Sequence, residues 1–372
     1  MFLTNILDGA SWYLFRFNIA EYGLFDFCRS VAFWLTVALI IAFLIGVAVN
    51  KENRAKVMKV SGIIAVCYAA ALAVLFSALT FVDDGVVWQT FLPILIAALL
   101  IIATMILLGV CKDKTVHIVM GVLSAVALVV ALVMLGIYYA TGKPAEDNGL
   151  TNEQVETVGL YVSSVLLVIV LIALALLLDK GEKGFSTKSI AYAAVCIAMS
   201  FALSYIRIVR MPQGGSITVA SLFPLMLYSY MFGTKKGVFA GMIYGMLQAV
   251  QNTYILHPAQ FLLDYPIAFA AIGLAGMFAN NEKIKAPQLR FALGAVLAGL
   301  ARFISHFFSG MFAFGAFAPE GQSPFMYSLT YQFMYVMPDI VILVIVGVLV
   351  LSSKSFVSQI DKIRLSETRK AA

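Results

Sequence analysis

A few charged side chains interrupt the long apolar runs of this chain, and they are its best candidates for chemistry. Asp264 lies in Gln260-Phe-Leu-Leu-Asp264-Tyr265-Pro266. Arg302 and His306 lie four apart in Arg302-Phe-Ile-Ser-His306, so they share one helix face. Asp339 follows Pro338. A charge at bilayer depth costs about 2.5–3.5 kcal/mol on the insertion scale, and it faces the protein interior or a water-filled cavity. One use for such charges is a structural ion pair, Arg302 with Asp264 or with Asp339. The other is a ligand site, which the surroundings favour for Asp264 and His306. Gln213, Tyr244, Gln248, Tyr254, Tyr265, Tyr327, Tyr331 and Gln332 gather near the outer end of the same apolar spans. A carboxylate, a histidine and several tyrosines suit a flat organic cation. The carboxylate supplies opposite charge, the aromatic faces cation–π attraction, and the imidazole a hydrogen bond to a heteroaromatic ring. Taken singly, each tyrosine also fits an aromatic belt that anchors helix ends.

Other chemistry is missing from the sequence. There is no G-x-x-x-x-G-K-[ST], no H-E-x-x-H and no G-x-S-x-G. The chain therefore carries no P-loop of its own, and an intramembrane enzyme is a weak reading. His117, His257 and His306 are too scattered for a metal site. Cys28, Cys67, Cys111 and Cys196 lack metal-ligand spacing and read as small hydrophobes. No bound cofactor is expected.

The elements that position these residues must be membrane helices. Of 372 residues, 62% are hydrophobic and only 12% charged, with a mean hydropathy of +0.97. That excludes a soluble enzyme, a disordered chain and a nucleic-acid-binding domain. The apolar runs are continuous and do not alternate, which excludes a β-barrel. The fold class is an all-α polytopic membrane protein. With roughly 20 residues per crossing, about eleven spans are expected. They lie near 30–49, 60–82, 86–110, 116–140, 157–178, 188–208, 218–234, 237–252, 259–279, 289–314 and 325–352.

Every second loop is the more basic one, from Lys51, Arg54, Lys56 and Lys59 to the tail with Lys354, Lys362, Arg364, Arg369 and Lys370. The positive-inside rule then puts the C-terminus in the cytoplasm and the N-terminus outside. Residues 1–28 are aromatic, lack a signal-peptide pattern and read as an interfacial segment. Residues 29–178 form an N-terminal five-helix membrane domain of unknown role. A charged cytoplasmic linker at 179–187 separates it from 188–353, where polar residues enter the spans, and 354–372 form a basic tail. The span that opens the second half carries Ala194, Ala198 and Ala202, a small-residue stripe that lets another helix approach closely or serves internal packing.

Residues 188–352 resemble the thiamine-specific S component of energy-coupling factor (ECF) transporters. The carrying motifs are Met211-Pro-Gln-Gly-Gly-Ser-Ile-Thr218, Gly237-x-x-x-Gly241-x-x-Tyr244-Gly245-x-x-Gln248, and His257-Pro-x-Gln260-x-x-Leu263-Asp264-Tyr265-Pro266. Arg302-Phe-Ile-Ser-His306-Phe-x-Ser-Gly310 and Ala318-Pro-Glu-Gly321 with Tyr327-Ser-Leu329 follow. The resemblance implies a six-helix vitamin-binding bundle, open to the outside, that carries thiamine. It implies a membrane coupling subunit and two ATP-binding subunits that hydrolyse ATP, consistent with the absent P-loop. It assigns ligand binding to Asp264, Tyr265, His306, Gly310, Tyr327, Tyr244 and Tyr254, and coupling-subunit docking to Ala194, Ala198 and Ala202. Gln332 stands where the family has a binding Asn, and Phe314 where it has a stacking Trp. These departures leave open a thiamine precursor or analogue as the ligand. A self-sufficient ion-coupled transporter, with Arg302, Asp339 and Asp264 as coupling charges, remains the alternative.

Overall fold

The computed structural model describes residues 11–12, 16–49, 155–178, 184–251 and 254–371, with isolated positions between 57 and 134. The spans expected at 60–82, 86–110 and 116–140 fall almost wholly outside the described residues. Compactness divides the chain into two units, Met1–Gly85 with Ala198–Leu222, and Val86–Ile197 with Phe223–Ala372.

The first unit holds β1 (Ser11–Trp12) and α1 (Ile19–Val49). Gly23, at φ +79°, breaks the helix near its start, a conformation open to glycine because it has no Cβ. The helix begins inside the segment expected to lie at the interface and, past the kink at Gly23, continues through residue 28 into the expected span. Asp26 is tolerated there because Arg16 and Arg29 flank it at 2.5 and 3.0 Å. The end of α3 (Thr187–Ser204) also belongs to this unit, followed by β2 (Arg207–Arg210) and β3 (Ser216–Thr218). The three strands form one antiparallel sheet, ordered β1-β2-β3, with Ser11 opposite Arg210 and Arg210 opposite Ser216. The fold is therefore not purely α. β-Branched Ile208 and Val209 favour a strand, and Pro212 together with Gly214 and Gly215, at φ +89° and +84°, turns the chain back. Ala32, Ala202, Tyr205 and Ile206 pack together in the core of this unit.

The second unit holds α2 (Thr157–Leu178), α4 (Phe223–Phe232), α5 (Thr234–Gln251), α6 (Pro258–Gly276), α7 (Pro287–Ala313), α8 (Pro324–Leu351) and α9 (Lys354–Ala371). The span expected at 218–234 is corrected to α4. Its ten residues rise only about 15 Å, half of the roughly 30 Å hydrocarbon core. β3 ends at Thr218, bends and turns occupy 219–222, and Gly233, at φ +93°, ends the helix and starts α5. Among the described residues, five helices are long and apolar enough to cross a bilayer, around Asp26–Phe43, Thr187–Ser204, Pro258–Gly276, Pro287–Ala313 and Pro324–Leu351.

α6 is the buried centre of this unit, and it is irregular. It runs as α-helix over Pro258–Leu262, π-helix over Leu263–Ile267, and 3-10 helix over Ala271–Gly276. Pro266 has no N–H to give to the turn before it, so the ladder widens there. α5 packs on α6 at backbone distance. A Cβ on Gly241 or Gly245 would collide with the carbonyls of Phe269 and Tyr265. Ser229 of α4 fastens the far end, donating to the Gly273 carbonyl and accepting from Gly276 N–H at 3.0 Å. The tail expected as a basic segment is the helix α9. Arg364 anchors it on the Ala279 carbonyl at 3.0 Å and over the Tyr230 ring.

Candidate functional site

Asp264 sits in the π-helical turn of α6, and three side chains converge on it. His306 Nδ1 of α7 lies 2.9 Å from Oδ1. Ser309 Oγ and Gln260 Nε2 each donate to Oδ2 at 2.6 Å. A carboxylate offers about four acceptor positions, so three donors leave room for one more. With Nδ1 engaged, Nε2 is the remaining polar atom of the His306 ring. It is buried with no hydrogen-bond partner among the described residues. Ser305 Oγ bonds the Leu263 carbonyl at 2.6 Å, which ties α7 to the widened turn.

Gln260 does more than hold Asp264. Its Nε2 also donates to the Tyr254 carbonyl at 3.1 Å, and its Oε1 accepts from Leu256 N–H at 2.9 Å. His257 caps α6 by accepting from Ala259 N–H at Nδ1. It forms a capping box with Gln260. Accepting requires an unprotonated Nδ1, and burial pushes the His257 pKa down to about 4. The loop before α6 is thus bonded to the carboxylate through one amide side chain. Tyr254, whose hydroxyl burial pushes up, packs its ring 5.5 Å from Phe314.

Aromatic rings continue along α8. Tyr327, Tyr331 and Tyr335 recur every four residues, with successive centroids 5.8 and 6.1 Å apart, and Tyr335 meets His306 at 6.1 Å. A Cβ on Gly310 would collide with Ser328 Oγ and lie 2.8 Å from Gln332 Nε2, so glycine leaves both side chains their place. Gln332 Oε1 is buried without a partner among the described residues. Arg302 pairs with Asp339 at 2.9 Å, not with Asp264.

The structure therefore brings Asp264, His306, Gly310, Gln332 and Tyr327 onto three adjoining helices, with Tyr254 and Phe314 at the loop end. Two of the expected residues sit differently. The Tyr265 hydroxyl accepts from Tyr254 N–H at 3.1 Å, so it holds the loop. Tyr244 is fully buried against Phe269, one layer behind His306. Gln213 lies in the β2–β3 turn of the first unit, and Gln248 bonds Gln251 in α5 at 2.7 Å. Of the alanine stripe, Ala194 and Ala198 are exposed while Ala202 is fully buried against Tyr205 and Ile206. Ala202 therefore presents no exposed surface, unlike the other two alanines of the stripe. Gln260, Ser309 and Tyr335 were not expected at the site. Their signals were spacings: four before Asp264, three after His306, and four after Tyr331. Among the described residues, no group of three or more His, Cys, Asp or Glu could hold a metal.

Bilayer-length apolar helices, with a hydrogen-bonded, half-buried carboxylate in an interrupted one, define a multi-pass membrane protein with an internal polar centre. Residues 190–358 match the family model described as thiamine transporter protein (Thia_YuaJ). The thiamine transporter ThiT of Bacillus subtilis (strain 168) is 41% identical over 144 residues, covering 37% of this chain and 74% of that protein. ThiT of Lacticaseibacillus paracasei is 31% identical over 152 residues, covering 37% of this chain and 73% of the relative. A solved structure of ThiT from Listeria monocytogenes aligns with a TM-score of 0.42 at 22% identity, over 45% of this chain and 95% of that one. The chain belongs to the thiamine transporter family.

Proposed function

We propose that this chain is the thiamine-binding membrane subunit of an ECF-type uptake system. The carrying observation is Asp264, a carboxylate held by His306, Ser309 and Gln260 with one acceptor position to spare. The carboxylate faces the ligand's positive ring. His306 Nε2 and the Gln332 amide supply directional hydrogen bonds, and Tyr327, Tyr254 and Phe314 supply aromatic faces. Binding is thus the work of this chain. Energy comes from a membrane coupling subunit and two ATP-binding subunits, with Ala194 and Ala198 as the docking face. The N-terminus lies outside and the C-terminal helix in the cytoplasm. Chemistry on the ligand is not part of this role.

Uptake of labelled thiamine tests the assignment. In a host that supplies an ECF coupling module, expression of this chain should support ATP-dependent uptake. In proteoliposomes containing this chain alone, no concentrative uptake is expected. Accumulation by the chain alone, driven by an ion gradient, would replace this reading with a self-sufficient transporter.

A further inference from the structure

The reading of Asp264 as a cation ligand leaves a second buried charge pair unexplained. Arg302 and Asp339 are 7% and 2% exposed and meet at 2.9 Å. Arg302 stands one helical turn from His306, about 6 Å of rise along α7. Its guanidinium lies 5.3 Å over the Phe269 ring, and that ring meets His306 at 6.4 Å. A lone positive charge at that place would oppose any cation bound at Asp264. Among the charged side chains of α6 and α8, and of α7 beyond Arg290, only Asp264, Arg302 and Asp339 carry a fixed charge. Together they leave one net negative charge, the complement of a monocation. Without the Asp339 charge the set is neutral.

We propose that Asp339 is a specificity-determining residue that, by neutralising Arg302, reserves the negative charge of Asp264 for a monocationic ligand. This rests on the proposed function and deepens it. Asp339 acts through Arg302 and is a positioning residue for charge. A merely structural ion pair would affect charged and uncharged ligands alike, so selectivity separates the two roles.

The test is calorimetric titration of the full chain in detergent with two probes: thiamine, and deazathiamine, in which an uncharged thiophene replaces the thiazolium. At an effective dielectric of about 20, an unneutralised charge within about 10 Å of a bound cation changes its affinity by roughly tenfold or more. Asp339→Asn should therefore lose about tenfold in thiamine affinity and under about threefold in deazathiamine affinity. The double variant Arg302→Gln with Asp339→Asn removes both charges and should return the thiamine preference of the wild type. Equal losses for both probes, no loss, or a double variant no more selective than the single would overturn the assignment. If Asp339→Asn fails to fold, Arg302→Gln decides: with Asp339 and Asp264 left unopposed, the preference for thiamine over deazathiamine should rise severalfold, and an unchanged preference contradicts the assignment. Failure of the wild-type chain to bind thiamine would instead sink the functional reading itself. Wild-type binding with unchanged selectivity in Asp339→Asn would sink only the role of Asp339.

Discussion

Asp264 works because its neighbours have already satisfied most of it. An isolated carboxylate in a low-dielectric interior is costly, and three donors, one from its own helix and two from α7, offset that cost while fixing the orientation of both oxygens. The sequence showed the principal charges and the fact that Arg302 and His306 share a face. It left two partners open for Arg302, because a helical period fixes the face a residue occupies and says nothing about which helix lies opposite. Ser309 and Gln260 stand in the quoted motifs but drew no role at the site for a related reason: single polar residues three or four positions from a charge are common on any helix. Gly310 is the sharpest case of a residue defined by its neighbour. In Gly310→Ala the new methyl would press first on Ser328 Oγ and then on Gln332 Nε2, and both must shift. Thiamine affinity in a titration should fall by about tenfold, the weight of a displaced hydrogen bond to a polar ligand. An unchanged affinity would remove Gln332 from the binding surface.

At the scale of elements, the helices were legible wherever an apolar run was long and closed by a breaker. α7 and α8 lie within a few residues of the expected spans, each opened by a proline. The short helices and the sheet were not legible. Hydropathy treats 218–234 as one apolar run, whereas the turn at 219–222 and Gly233 divide it by backbone conformation, which composition does not report. Two outcomes follow for α6. Gly241 meets the Phe269 carbonyl, so Gly241→Ala forces α5 and α6 apart. The thermal midpoint in detergent should drop by the equivalent of about 1–3 kcal/mol, with an unaltered midpoint speaking against this contact. His257 gives a pH dependence. Its pKa is about 4 in the folded chain and 6.5 ordinarily. Between those values the unfolded chain takes up a proton that the folded one refuses, so stability falls as the pH drops from about 6.5 to 4. His257→Asn keeps a capping oxygen that does not titrate. Thermal unfolding across that window should be flatter in the variant, and an identical slope would show that the cap is not the titrating group.

For the whole molecule, the separation of capture from energy input is the central idea. Ala194 and Ala198 remain exposed on α3, and a small-residue surface favours close approach of a partner helix. Replacing both with Leu should leave thiamine affinity within about twofold of wild type, because neither lies at Asp264. Uptake with the coupling module should collapse. Surviving uptake would place the docking face elsewhere. Five of the expected spans precede residue 179, and the family match begins at 190, so the ligand-binding reading applies to the C-terminal half of the chain. The most direct test is calorimetric titration of the purified, detergent-solubilised full chain with thiamine, beside its Asp264→Asn variant, without ATP or partner subunits. Tight one-to-one binding by the wild type, weakened at least tenfold in Asp264→Asn, is the expected result. Folded wild-type protein that binds no thiamine, or a variant that binds it equally well, would contradict the assignment of Asp264 as the centre of the site.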